Sequence, residues 1–244
     1  MTTERQKILT ILFDNELSYQ EVPLFRGAII QAARTAINAE SAHVLFHNHL
    51  GEGFRFSYPL IQYKRIYGKA AIVCIGDGTE VIGDFFSSSS PMVQLGDKTT
   101  MLRIARILAQ PFLIKVWDSS FKYSIRRWMP LNSQNYSKYM EMDDLVGKIE
   151  FLQRILTGNI LSMAKGLGVD LTDPITVKLT HLDSPFIVAV KSVKMMTFNA
   201  EFTTNVSLPQ FIGLGKDASI GFGTLFRTES ERHQQKQSEN GPII

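Results

Sequence analysis

The order of β-rich and helical segments most constrains what this chain can become, because the order runs through once and then nearly repeats. Gln6 to Phe13 reads as a strand ending at Asp14-Asn15, and Pro23 opens an apolar helix to about Asn38, with Ile29, Ile30, Ala33 and Ile37 at helical spacing. Ile61 to Tyr67 and Lys69 to Ile75 are β-rich runs joined at Gly68 and read as a hairpin; Asp77-Gly78-Thr79 then leads into a short helix to about Phe86. Thr99 to Gln110 fits either a helix or a strand, and Pro111 limits whichever forms. Phe112 to Trp117 and Phe121 to Trp128 read as strands. The longest helix is expected from Asp143 to Lys165, with Leu145, Ile149, Leu152, Ile155, Leu156 and Ile160 on one face and Gly166 and Gly168 ending it. Ile175 to Leu182 and Phe186 to Val206 are again β-like, around a turn at Asp183-Ser184-Pro185. Two β-α-β-β-α-β units in an α+β fold account for this order, one over residues 1–110 and one over 111–228. The halves share no visible identity, so the repeat is one of topology. Residues 229–244 are polar and rich in Gln, Glu and Ser, the composition of a disordered tail.

Chemistry concentrates in two places. His47-Asn-His49, followed by Tyr58-Pro-Leu-Ile-Gln-Tyr-Lys64, gathers imidazoles, a phenol and an ammonium without a usual metal-ligand set. Such groups transfer protons near neutral pH with no cofactor. If the histidine stretch is extended, residues two apart share a face and both imidazoles approach one phosphate. The second place is Gly213-Leu-Gly215-Lys216-Asp-Ala-Ser219-Ile-Gly221-Phe-Gly223, where glycines let backbone N–H groups come close to an anion. Together they point to a phosphodiester substrate. The net charge of +3 is only mildly basic, but residues 103–138 carry Arg103, Arg106, Lys115, Lys122, Arg126, Arg127 and Lys138 against the lone acid Asp118. That bias fits either a solvated face or a nucleic-acid surface, on which Tyr123, Trp128, Tyr136 and Tyr139 would stack on bases.

Other chemistries find less support. Cys74, the single cysteine, lies in the apolar run Ala70–Ile75 and reads as a core residue in a reducing compartment. His47-Asn-His49 is not an H-N-H nuclease, a name for residues dispersed over a metal-binding hairpin, and His181 and His233 are isolated, which disfavours zinc. His43 reads as structural. Gly215-Lys216 lacks the spacing of a P-loop. No apolar run approaches the ~20 residues that span a bilayer, and the N-terminus lacks a signal-peptide core, so a cytoplasmic protein without a membrane partner is expected.

Four segments in order carry a resemblance: Phe46-His-Asn-His49 with Tyr58 to Lys64, Trp128-Met-Pro-Leu-Asn132 to Tyr139, Gly158-Asn-Ile-Leu-Ser162 to Gly168, and Gly213 to Gly223. They resemble the CRISPR-associated endoribonucleases that cut precursor CRISPR RNA within its repeats, in the branch with the Tyr-Pro-Leu-x-Gln-Tyr-Lys motif. The resemblance implies two tandem ferredoxin-like domains, with the catalytic histidines in the first and the glycine-rich RNA-binding loop in the second. It implies metal-independent cleavage in which the 2′-hydroxyl attacks the adjacent phosphate, with no cofactor and with CRISPR repeat RNA as partner. His49 is expected as the main acid or base, His47 as its partner and Tyr58 as a group positioning the 2′-hydroxyl or phosphate. Gly213, Gly215, Lys216, Ser219, Gly221 and Gly223 are expected to hold the RNA backbone, with Arg126, Arg127, Lys64 and Arg34 as further phosphate contacts. A CRISPR effector complex and a homodimer stand as further partners. The alternative is a non-catalytic repeat-RNA-binding subunit of such a complex, and a second rival is a metal-dependent nuclease.

Overall fold

A computed structural model describes residues 5–36, 58–88 and 90–228, without the side chains of 34–36 and 88. His43, His47, His49, His233 and the tail lie outside the described residues.

The first half is built on a four-stranded antiparallel sheet. Its strands are β1 (Gln6–Glu16), β2 (Ile61–Ile66), β3 (Lys69–Ile75) and β6 (Ile104–Phe112), in the order β2-β3-β1-β6. Helices α1 (Val22–Ala36) and α2 (Gly78–Ser88) and a small hairpin, β4 (Met92–Leu95) with β5 (Lys98–Met101), complete it. The ambiguous stretch before Pro111 is therefore strand. Pro111 sits opposite Lys7 on β6, which among the described residues pairs with β1 alone, and an edge strand tolerates a residue without an N–H.

One face of this sheet packs Phe13, Tyr63, Ile72 and Cys74 against Phe25 and Ile29 of α1 and Ile82 and Phe85 of α2. The other face places Ile8, Ile66, Ala71, Val73 and Ile75 in a core shared with the second half. Covering both faces explains why Ala70–Ile75 is a continuous apolar run rather than an alternating one. Cys74 is fully buried, and that burial pushes its thiol well above the ordinary value, as a core residue should be.

The second half has strands β7 (Val116–Trp128), β8 (Val177–Leu182), β9 (Phe186–Val190), β10 (Val193–Val206) and β11 (Thr224–Thr228). Their order is β11-β7-β10-β8, with β9 folded onto β10. Two helices, α3 (Ser133–Glu141) and α4 (Leu145–Gly166), lie between β7 and β8. Asp144 caps α4 by accepting the Gly147 N–H, and Gly168 at φ 69° ends it. Leu152, Leu156 and Ile160 of α4 pack on Tyr123, Ile125 and Phe202 of the sheet.

Two sequence expectations are corrected here. Phe112 to Trp117 and Phe121 to Trp128 are not two strands, because β6 ends at Phe112 and β7 runs unbroken from Val116. Phe186 to Val206 is β-structured, as expected, and forms a hairpin turning at Lys191 and Ser192, both at positive φ. The second half also lacks a helix between β10 and β11; residues 207–223 fold as loop with one 3-10 turn, Ala218–Ile220. That glycine-rich segment buries Phe211, Ile212 and Leu214 in the shared core, under the first sheet. α3, a polar helix with only Tyr139 buried, has no counterpart in the sequence reading.

Candidate active site

The glycine-rich segment and the Tyr58–Lys64 segment meet although about 150 residues separate them. The Tyr58 hydroxyl donates to the Gly213 carbonyl at 2.8 Å, and the Gly213 N–H donates to Gln62 Oε1 at 2.8 Å. Gln62 Nε2 in turn donates to the Pro59 carbonyl at 3.0 Å. Lys64, fully buried, donates from Nζ to the Ala218 carbonyl at 3.1 Å and to Thr224 Oγ1 at 3.4 Å. A hydrogen-bonded clamp thus fixes the loop from the first half of the chain.

Space around the loop is tight. A Cβ on Gly213 would lie 2.8 Å from Lys64 Nζ, and one on Gly223, at φ 59°, would run into the Leu214 carbonyl. Gly223 donates its N–H to Arg127, and Leu214 donates to Gly223. The glycines therefore serve close backbone packing, and Gly213, Gly221 and Gly223 are buried. Of the loop residues expected at the RNA backbone, Gly215, Lys216 and Ser219 reach solvent, Lys216 most.

Lys64 is corrected from a phosphate contact to an internal tie. Among the described residues no counter-ion lies near it, and burial pushes its pKa down to about 7. Arg127 is also drawn inward: half-buried, it stacks on Tyr19 at 4.2 Å and Phe222 at 4.8 Å, while Arg65 covers Tyr19 at 4.7 Å. Arg126 remains on the surface, 3.8 Å from Asp183. Arg34 lies in α1, and its side chain is outside the described set.

Beside the clamp lies a cavity of about 240 Å³. Tyr58 forms one wall and Met129, Pro130 and Met163 supply apolar surface. Asn132, Asn159, Ser162, Gly215 and Lys216 bring polar groups to it. Asn159, Ser162, Met163 and Gly166 recur at helical spacing on α4, so one stripe of that helix faces the cavity and Tyr58. A Cβ at Gly166 would collide with the Tyr58 side chain, which lets helix and tyrosine touch. Trp128 Nε1 donates to Asn159 Oδ1 at 2.9 Å, and Gly215 passes so close that its Cβ would come within 2.9 Å of that oxygen. Described residues from each of the four segments singled out in the sequence thus meet at one cavity, the first segment being represented by Tyr58.

Burial raises the Tyr58 phenol well above its ordinary value, against opposing hydrogen bonds with Gln62 and Gly213. It stays protonated at neutral pH and acts there as a donor. His47 and His49, eleven and nine residues before Tyr58, fall outside the described residues. Among the described residues no group of three His, Cys, Asp or Glu side chains is placed to hold a metal ion, and no helix is long and apolar enough to cross a membrane. Sequence reasoning missed Asn132, Asn159 and the clamp itself. The Asn residues stood within quoted segments, but only the fold shows that they share a cavity.

Comparison with known proteins is consistent across the chain. The family model of the Cas6b N-terminal domain matches residues 4–112, and that of the Cas6b C-terminal domain matches residues 115–228. A crystal structure of Cas6b is similar with a TM-score of 0.80 and 26% identity, over 91% of this chain and 100% of that one. A crystal structure of a CRISPR RNA processing endoribonuclease Cas6b is similar with a TM-score of 0.69 and 27% identity, over 92% of this chain and 100% of that one. An uncharacterized protein of Methanocaldococcus jannaschii is 38% identical over 115 residues, which are 47% of this chain and 77% of its own length. Two domain models in tandem, together with these structures, establish that the chain belongs to the Cas6b family of CRISPR repeat-associated endoribonucleases.

Proposed function

We propose that this protein cuts precursor CRISPR RNA within its repeats, by two tandem ferredoxin-like domains that hold the RNA against the segment containing His47 and His49. The observation that carries the reading is the match of both Cas6b domains over residues 4–112 and 115–228. Strand orders β2-β3-β1-β6 and β11-β7-β10-β8 support the paired ferredoxin-like reading, since each sets the fourth strand beside the first and the third between the first and second. In the second domain the glycine-rich segment takes the place of the second helix.

In the proposed reaction one imidazole, His49 or His47, accepts the proton of the 2′-hydroxyl. The freed oxygen forms a bond to the adjacent phosphorus, the bond from phosphorus to the 5′-oxygen breaks, and the other imidazole protonates that leaving oxygen. The products are a 2′,3′-cyclic phosphate and a 5′-hydroxyl. Both proton transfers come from side chains, so the scheme requires no metal. Lys216, with Gly215 and Ser219, faces the phosphates and offsets charge developing on phosphorus, and Arg126 extends that surface. Tyr58 acts as a positioning residue, fixing Gly213 and walling the cavity. RNA carrying the CRISPR repeat, incubated with the full chain in EDTA, tests the scheme. One cut is expected, slowed roughly 10²–10⁴-fold by His49→Ala and further in the double variant with His47→Ala. Bound but uncut RNA would instead identify a non-catalytic subunit, and activity abolished by EDTA a metal-dependent nuclease.

A further inference from the structure

We propose that the cavity beside Tyr58 is a nucleobase pocket that selects guanine, an inference that rests on the reading of RNA as the substrate. Its volume of about 240 Å³ is smaller than the ~300 Å³ at which sites for whole drug-sized ligands begin, and suits a single planar ring system. Its walls are apolar where a base has faces: the Tyr58 ring, Met129, Pro130 and Met163. Tyr58 is held in place by its hydroxyl's bond to Gly213 and by the close approach of Gly166 to its Cβ and backbone, so a base meets a fixed aromatic residue.

The polar groups carry the selectivity, because the fold fixes which atoms they offer. Asn159 Oδ1 accepts from Trp128 Nε1, which turns Nδ2 away from the indole. Asn132 Oδ1 accepts the Asn135 N–H as the cap of α3, which likewise leaves Nδ2 as the outward group. Neither amide nitrogen finds an acceptor among the described residues. Lys216 adds an ammonium whose only recorded contact among the described residues is Met195 Sδ at 3.8 Å, and Ser162 adds a hydroxyl. The pocket therefore presents donors: two amide N–H groups and an ammonium. Guanine carries two adjacent acceptors, N7 and O6, on one edge, where adenine replaces O6 with a donor amine; uracil sets an N3–H beside O4, and cytosine's adjacent acceptors, O2 and N3, sit on a single ring that fills less of the cavity than a purine. These donors thus favour guanine over adenine.

The full chain and short oligouridylates carrying one internal guanosine, adenosine or 7-deazaguanosine test this, with dissociation constants read by fluorescence anisotropy at fixed salt. The guanosine oligomer is expected to bind roughly 10-fold more tightly than the adenosine one, and 7-deazaguanosine, lacking the N7 acceptor, to lose most of that preference. Asn159→Asp and Asn132→Asp each keep the oxygen that serves the fold and exchange the donor amide for an acceptor. Each should reduce the guanosine-to-adenosine ratio toward unity or invert it. A wild-type ratio near unity, or a ratio unchanged in both variants, would overturn the pocket while leaving repeat cleavage standing. Failure to bind any oligomer, together with failure to cut repeat RNA, would remove both readings.

Discussion

An ammonium buried away from water must be held by something, and for Lys64 the holders are a carbonyl and a hydroxyl rather than a carboxylate. Burial lowers its folded-state pKa to about 7 from 10.5. Between those values the unfolded chain binds the proton and the folded chain does not, so stability rises with pH across the window and is lost as pH falls toward 7. Urea midpoints measured near the two ends of the window should therefore increase with pH in the wild type, by a few kcal/mol in unfolding free energy. Lys64→Met should lack that increment, and an identical pH profile would show that Lys64 keeps its proton when folded. Tyr58→Phe removes the donor to the Gly213 carbonyl and is expected to cost about 1 kcal/mol, measured by the same titration. Gly223→Ala meets both a positive φ and the Leu214 carbonyl, and should cost more than ~2 kcal/mol. These residue roles were only half legible in the sequence. Tyr58, Lys64 and the glycines stood out by type, and their neighbourhood suggested RNA. Their partners lie about 150 positions away, so nothing local showed that Lys64 ties the loop internally instead of facing a phosphate.

At the scale of elements, segments that bury a regular apolar face were readable, and those that do not were missed. β1, the hairpin at Gly68 and α4 carry clear periodicity or a turn glycine, and each formed near its expected bounds. α3 buries only Tyr139 and is set by its Asn132 cap, so it offered no apolar stripe to detect. The β9–β10 turn uses Lys191 and Ser192 at φ 47° and 67°, where such hairpins usually place Asn-Gly. Residues other than Gly, Asn or Asp are strained there, and Lys-Ser is not a recognisable turn pair, so the turn was not legible. Lys191→Asn with Ser192→Gly should relieve that strain and stabilise the protein by about 1 kcal/mol. A lower urea midpoint in the double variant would mean that the native side chains contribute contacts outweighing the strain.

Across the whole molecule, the first sheet is covered on one side by its own helices and on the other by the second half of the chain. Separating the halves would expose Ile8, Ile66, Ala71, Val73 and Ile75, as well as the buried amine of Lys64, and burying each of the Ile and Val side chains is worth ~1.5–3 kcal/mol. The halves should therefore unfold together. Trp117 and Trp128, the two tryptophans, both lie in the second half, so their fluorescence should follow the same urea transition as far-UV circular dichroism, which senses both halves. Two separated midpoints would show that the shared core is weaker than its burial implies. The clamp and shared core hold Tyr58, Lys216 and the cavity in one fixed relation. In the proposed reaction an internal 2′-hydroxyl of repeat RNA is the nucleophile. The most direct measurement replaces only the nucleotide 5′ to the cut by its 2′-deoxy form. Binding should persist while cleavage at that bond disappears; cleavage at an undiminished rate would contradict the account.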